Sequence, residues 1–285
     1  MAITMEMVKE LRVKTGAGIL DCQKALKQSD GDIQAAVDFL RKKGLAAAAK
    51  KSGRTTNEGL VSTKISEDAK EIFMVAVLCE TDFVARTDEF KALCAEMAED
   101  LSAELKENRR AEAVPEDVVE NNKEKVNAAI AKIGENMQIG DYGKFTAEEN
   151  GRIYNYTHFN GKIGVALELK SENTGEALDL LGKNICLHIA AMGPEYVRPD
   201  EIPADVLNKE REIYTEQMKE SGKPANVVEK IVEGKVNKFC EDKCVIKQVY
   251  ALDTSKKITD MLKEAGKELG CEVDIIRFAR VAIGD

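Results

Sequence analysis

Arg152-Ile153-Tyr154-Asn155-Tyr156-Thr157-His158-Phe159-Asn160-Gly161-Lys162-Ile163-Gly164-Val165-Ala166-Leu167-Glu168-Leu169 reads as two strands joined by a tight turn. Asn160-Gly161 is the strongest short hairpin-turn signal, and both flanks are rich in β-branched and aromatic residues. The spacing predicts strands over 152–158 and 162–169, followed by a helix over roughly 172–192. Upstream the same order occurs once already. Segments 60–65 and Glu71–Cys79 flank the polar turn Ser66-Glu67-Asp68-Ala69-Lys70, and a helix is predicted over 88–105. Hairpin and helix thus recur about 90 residues apart, the mark of a duplicated unit. The expected fold class is α+β, with a duplicated core of antiparallel sheets covered by helices on one face. A further helix is predicted over 115–133.

The flanks extend this plan. In residues 1–53 Val8 and Leu11, then Ile19, Cys22 and Leu26, then Ile33, Ala36, Val37 and Leu40 recur at helical spacing. Thr15-Gly16-Ala17-Gly18 and Asp30-Gly31-Asp32 break the pattern, which predicts an N-terminal three-helix bundle resembling ubiquitin-associated domains. Segment 44–53 reads as helix-prone and then flexible, a linker closing a first domain at residue 53. Core units are expected over 54–141 and over 142–203 with 244–285. Between the two halves of the second lies 204–243, where Leu207, Tyr214 and Met218 line one helix face and Val228, Ile231, Val232, Val236 and Phe239 another. Ser221-Gly222-Lys223-Pro224 separates them, so the insert is expected as an antiparallel coiled-coil hairpin. A strand over 245–251, a helix over 255–269 and a strand over 273–283 complete the expectation.

Composition excludes several function classes. The 285 residues carry 42 Lys+Arg and 51 Asp+Glu, a net charge of −9, and no apolar run approaches the roughly 18 residues of a membrane span. The first 53 residues are net +4 and the rest −13, but the basic residues alternate with acids on helices, and the acidic bulk would repel a nucleic acid. The start of the chain has neither signal-peptide nor transit-peptide character, so a cytoplasmic protein is expected, with no membrane and no direct nucleic-acid partner. Seven scattered cysteines argue against a disulfide framework. Cys240 and Cys244 stand four apart without a nearby His, and neither His158 nor His188 sits in a zinc motif, so no metal and no cofactor is expected.

No catalytic motif stands out. Phosphate loops of the Walker type and Gly-x-Ser-x-Gly elbows are absent. Gly16-Ala17-Gly18-Ile19-Leu20-Asp21 begins like a dinucleotide loop but ends in Asp and follows a helix. Cys186 and His188 are two apart on a helix, so their side chains diverge by about 200° and cannot act as nucleophile and base. An enzyme with its own active site is therefore not expected. One loop is unusual: Glu80-Thr81-Asp82-Phe83-Val84-Ala85-Arg86 places apolar residues after two acids, whereas the corresponding turn of the second unit, Lys170-Ser171-Glu172-Asn173-Thr174, has no aromatic. Composition favours Phe83 folding under Phe90 and Leu93, since loop aromatics are commonly buried. The alternative is an exposed anchor for a partner's pocket.

Leu11-Arg12-x-x-Thr15-Gly16-Ala17-Gly18-x-x-Asp21-Cys22-x-Lys24-Ala25-Leu26 resembles the N-terminal signature of the bacterial elongation factor Ts family, and Glu80-Thr81-Asp82-Phe83-Val84-Ala85-Arg86 resembles its second motif. Ile133-Gly134-Glu135-Asn136, His188-Ile189-Ala190-Ala191 and Ser221-Gly222-Lys223-Pro224 extend the likeness over nearly the whole chain. The resemblance implies a guanine-nucleotide exchange factor for the GTPase elongation factor Tu, without an active site of its own. It implies that the head packs on the partner's G domain, while the core contacts that domain and a β-barrel domain. It further implies that Phe83, flanked by Thr81, Asp82 and Val84, enters a crevice near the partner's magnesium ion. Arg12, Ile19 and Leu20 would contact the partner from the head and His188 from the second unit, although a His beside Ile189 on a packed helix fits a satisfied core residue equally well, and the coiled coil would serve partner contact or self-association. Gln23 stands where the family often has Lys, and Ile19 and Leu20 where it has Met. The chain ends at Ile283-Gly284-Asp285, so a C-terminal helical extension found in some relatives is expected to be absent. The competing reading is an adaptor that binds a small protein through residues 1–53, for which Phe83 would be dispensable.

Overall fold

The computed structural model describes residues 3–108, 110–219 and 224–284. Three helices come first: α1 (Met5–Thr15), α2 (Ile19–Gln28) and α3 (Ile33–Ala49). Thr4 and Asp32 cap α1 and α3 with their side-chain oxygens, and Gly16 ends α1 in the left-handed conformation at φ 65°. Val8, Leu11, Cys22, Ala25, Leu26 and Ala36 close a small core between them. Segment 44–53, expected as a linker, is helical as far as Ala49. Its alanines keep the helix going, and Gly44 lets α3 lie so close to the core that an added Cβ would come 3.0 Å from that of Ala131. Ala48 is buried in the core of the first sheet.

The first core unit runs β1 (Glu58–Ile65), β2 (Glu71–Cys79), α4 (Asp82–Ala85), α5 (Asp88–Glu104), β3 (Glu112–Ala113), α6 (Glu116–Asn121), α7 (Lys123–Ile133) and β4 (Met137–Thr146). The second has β5 (Gly151–Thr157), β6 (Ile163–Ser171), α8 (Glu176–Met192), then α9 (Ala204–Met218) and α10 (Ala225–Lys243), and finally α11 (Ile258–Leu269) and β7 (Val273–Ala282). The sheets have strand orders β1-β2-β4-β3 and β5-β6-β7, all pairs antiparallel. In each unit a hairpin is followed by a helix, and a later strand returns beside the hairpin's second strand.

The two sheets face each other. Val61, Ile72, Met74, Ala76 and Phe145 of one meet Ile153, Ala166, Ala279 and Val281 of the other. The outer face of the first sheet, with Phe73, Val75 and Val77, packs on residues of α5 and α7. Val165, Leu167 and Leu169 carry the outer face of the second, under α8 and α11. β2 is therefore buried on both faces, which explains its unbroken apolar run. Glu168 is 0% exposed between the sheets. Its carboxylate accepts from Arg277 Nε at 2.7 Å and from the Glu148 N–H at 2.6 Å, and Arg277 also reaches the Thr146 carbonyl.

Three elements differ from expectation. β4 was not anticipated, because Gly140 and Gly143 depress its strand signal. Those glycines admit the neighbours: a Cβ on Gly143 would come 2.8 Å from that of Ala279. The helix predicted over 115–133 is two helices, broken at Asn122, whose amide bonds the Val118 carbonyl and Glu104. The strand predicted over 245–251 is a 3-10 turn, Val245–Lys247, with isolated bridges only. Its apolar residues are drawn into the core beneath α8, and the place beside β6 is taken by β7.

α9 and α10 lie side by side, linked by Arg211 Nε to Glu233 at 3.0 Å and by Lys235 over the Tyr214 ring. Of the expected turn between them, Ser221, Gly222 and Lys223 lie outside the described residues. Among the described residues no helix is long and apolar enough to cross a membrane.

α8 crosses β5 at Gly182, where an added Cβ would sit 2.3 Å from Tyr154 Cγ. The ring has no free room, since its hydroxyl is held by Asp179 at 3.0 Å. Gly182→Ala is expected to destabilise the protein by about 2 kcal/mol, overpacking outweighing the roughly 1 kcal/mol gain in helix propensity. Thermal denaturation would register this as a lower Tm; an unchanged Tm would mean that Tyr154 moves aside freely.

Candidate functional site

β2 ends at Cys79, whose Sγ donates to the Thr81 carbonyl at 3.2 Å. Thr81 then caps the single turn of α4, its hydroxyl oxygen accepting from the Val84 N–H at 3.3 Å. Thr87 caps α5 by accepting from the Phe90 N–H, and its own hydroxyl donates back to the Val84 carbonyl. One tight turn between two anchored ends fixes which side chains point inward. Ala85 is buried and Val84 packs on the core, while Phe83, two positions before Ala85 and hence on the opposite side, is 79% exposed. The burial of Phe83 under Phe90 and Leu93 is not realised. Phe90 itself is fully buried and occupies that core. Leaving a phenyl ring in water forgoes roughly 1.5–3 kcal/mol of burial energy. Asp82 pairs with Arg86 at 2.7 Å, an exposed i,i+4 contact that contributes little.

The loop is held from the side by the turn between α7 and β4. Glu135 Oε2 accepts from the N–H groups of Glu80 and Thr81 at 3.1 and 3.0 Å, and its Oε1 accepts from the Thr81 hydroxyl at 2.6 Å. In return Glu80 accepts from the Asn136 N–H at 2.6 Å and pairs with Arg54, while the Asn136 amide reaches the Arg54 carbonyl. The Asn136 N–H, helped by Arg54, holds the Glu80 carboxyl below the usual carboxylate range. Glu135 lies in the Ile133-Gly134-Glu135-Asn136 motif, which by itself assigns it no role. Its contacts lie 54 and 55 positions away in sequence, beyond any local signal.

On the head, Arg12, Ile19 and Leu20 are exposed, and Val13 is exposed beside them. Val13 was not singled out, although its position off the Val8–Leu11 stripe already marked it as outward-facing. The turn between α1 and α2 abuts the end of α7: a Cβ on Gly16 would lie 2.8 Å from Lys132 Cε. Lys132 in turn pairs with Glu89 of α5. The structure thus seats the α1–α2 turn against the end of α7, beside the turn that holds the Phe83 loop.

His188 does not join them. It is 0% exposed, so of its two readings the structure realises the satisfied core residue and not a surface contact for a partner. The Ala251 N–H donates to Nδ1 at 3.2 Å, so the Nε2–H donates to Gln248 Oε1 at 2.8 Å and the ring is neutral. Burial pushes its pKa below the ordinary 6.5, partly opposed by Gln248. Below pH 6.5 the unfolded chain takes up a proton that the native ring refuses, so stability falls as pH drops from 6.5 towards the lower native value. His188→Gln is expected to flatten the stability-versus-pH slope in that window by up to about 1.4 kcal/mol per pH unit. Urea titrations at pH 7, 6 and 5 would check it; an unchanged slope would place the acid sensitivity elsewhere.

Burial raises the thiols of Cys79 and Cys94 to about 12, far from a nucleophile's range. Cys186 is likewise raised by burial. Among the described residues no group of three or more His, Cys, Asp or Glu is placed to hold a metal ion. A 730 Å³ cleft beside the loop, between α3 and the α6–α7–β4 segment, is lined mainly by apolar side chains such as Leu45, Ala48, Val126, Ile130 and Ile139.

Comparison with known proteins agrees with the motifs. The family model described as elongation factor Ts matches residues 80–285. The chain is 42% identical to elongation factor Ts of Desulfovibrio desulfuricans, with 99% of this chain and 98% of that protein aligned. It is 40% identical to the elongation factor Ts proteins of Aquifex aeolicus and Trichlorobacter lovleyi, with 100% of this chain aligned to 99% and 94% of theirs.

Proposed function

The chain belongs to the elongation factor Ts family, and on that premise we propose that it is a cytoplasmic exchange factor promoting GDP release from the GTPase elongation factor Tu. It does so by displacing elements around the partner's magnesium ion and phosphates, and has no active site of its own. The observation that carries the reading is the Phe83 side chain, 79% exposed on a loop whose backbone is anchored at both ends and from the side. An aromatic presented in this way is the type of residue that dominates interface energies.

Magnesium and the diphosphate hold each other in a GTPase site, because the metal neutralises phosphate charge. Phe83 acts as a wedge beside that metal, with Asp82 as its polar neighbour and Thr81 and Val84 shaping the turn. Arg12, Ile19 and Leu20 grip the partner from the head, and exposed Val13 adds to that face. Weakening the metal side lowers nucleotide affinity without any contact to the nucleotide. Reciprocity then requires bound nucleotide to weaken the factor's own binding by the same ratio. Residues 1–53 form the ubiquitin-associated-like head, and 54–141 and 142–203 with 244–285 the duplicated core, the junction between the units moving past Thr146 because β4 pairs along its whole length with β2 of the first sheet; 204–243 is an antiparallel coiled coil that serves partner contact or self-association. The acidic bulk of the chain suits a protein partner rather than a nucleic acid.

The test is release of a fluorescent GDP analogue from magnesium-loaded elongation factor Tu. Catalytic amounts of this protein are expected to accelerate it strongly. No acceleration would overturn the reading.

A further inference from the structure

We propose that Glu135 is a positioning residue for exchange: it fixes the direction of Phe83 before the partner arrives, and acts through that ring rather than by touching the partner. This rests on the exchange-factor reading above. The support comes from the fold's own duplication, which builds the same junction twice.

In the first unit β2 ends at Cys79, whose side chain donates to the carbonyl two residues on, Thr81, at 3.2 Å. In the second, β6 ends at Ser171, whose hydroxyl donates to the carbonyl two residues on, Asn173, at 2.6 Å. Opposite each stands a helix ended by a left-handed glycine, Gly134 at φ 96° and Gly270 at φ 70°, and the returning strand begins three residues later. Counting from these landmarks, Phe83 corresponds to Gly175 and Glu135 to Cys271.

The two junctions are closed differently. Around Phe83, the half-buried Glu135 carboxylate takes three hydrogen bonds, from two backbone N–H groups and the Thr81 hydroxyl. Around Gly175, Cys271 makes a single 3.2 Å contact to Ser171, and the Asn173 amide bonds the Leu269 carbonyl at 2.9 Å. The architecture therefore closes this junction without a carboxylate. The charged clamp is found only where the loop carries an exposed aromatic.

The physical benefit is pre-organisation. Charge-assisted bonds to backbone N–H groups are about twice as strong as neutral ones and hold the residues just before the wedge. Each loop residue already ordered spares roughly a tenfold entropic factor when the partner binds. With the head already bound, a ring swinging on a free loop would enter its crevice in only a fraction of the complexes, which lowers the maximal rate rather than the affinity.

The experiment pairs two readouts on the full-length chain. First, amide hydrogen exchange at Glu80 and Thr81 in the free protein: Glu135→Ala should remove their protection while the Tm shifts little, and Glu135→Gln, which keeps one acceptor oxygen, should remove part of it. Second, stimulated GDP release: Glu135→Ala should lower the maximal rate about tenfold, the scale of one lost ordering contact, with the half-saturating concentration nearly unchanged. Placed on Phe83→Ala, the same substitution should add less than about a twofold loss, because coupled residues are not additive. A full tenfold loss on top of Phe83→Ala would overturn the proposal, as would unchanged protection at Glu80 and Thr81. If Phe83→Ala alone left exchange intact, the wedge reading would fail and the positioning role with it. The hydrogen-exchange result would then still tell that failure from a clamp that never ordered the loop.

Discussion

Phe83→Ala is expected to slow stimulated GDP release from elongation factor Tu about thirtyfold, the equivalent of about 2 kcal/mol for a hot-spot anchor. The unstimulated protein should scarcely notice. The ring is 79% exposed and the loop bonds run through the backbone, Thr81, Thr87 and Glu135, none of which the substitution touches. Function and stability therefore separate: the Tm should stay within the scatter of a surface change. Equilibrium binding to the nucleotide-free partner should weaken by less than the rate falls if the head retains its grip. A rate loss below about threefold would remove Phe83 from the mechanism and move the effect to Arg12, Ile19 and Leu20. A lower Tm of several degrees would mean that the ring packs on something in solution.

The largest loss of stability is expected from Arg277→Met, about 3 kcal/mol in urea denaturation. Glu168 is enclosed between the two sheets; among the described residues Arg277 is its one charged partner, and the Glu148 N–H supplies a further bond. Deleting the guanidinium leaves a buried carboxylate without its counter-charge, which costs several kcal/mol. It also removes the bond from Arg277 to the Thr146 carbonyl, which ties β7 to β4 across the two sheets. Glu168→Gln keeps the acceptor for Glu148 and discharges the site, so the double variant should recover more than about 1 kcal/mol of the loss. Simple additivity of the two substitutions would show that the pair contributes geometry and no electrostatic coupling.

What could be read from the sequence was what local chemistry decides. The second hairpin announced itself because Asn160-Gly161 and its strand-forming flanks are contiguous, and Gly161 indeed takes a left-handed φ of 73°. β4 was hidden because its glycines answer to Ala76 and Ala279 on other strands. Segment 245–251 has strand-like composition, yet strand status depends on a free neighbour in a sheet, and β7 already holds that place. At the site, the motif around Phe83 was visible, but its exposure depends on a one-turn helix whose two caps decide which side faces the core. The two readings of His188 could not be separated locally, because its partners, Gln248 and Ala251, lie about 60 positions along the chain.

The continuation of α3 to Ala49, seated on α7 through Gly44, has a mechanical meaning. A helix of 17 residues is a stiff strut of roughly 25 Å. With its far end embedded in the first sheet's core, it makes the head and the Phe83 loop two jaws of one calliper. On the proposed reading, in which both jaws contact elongation factor Tu, engagement of one presents the other at a set span and a high local concentration, so the two contacts reinforce each other as a tether would not. Such a gauge also discriminates: a GTPase with similar pockets at another spacing can engage one jaw but not both.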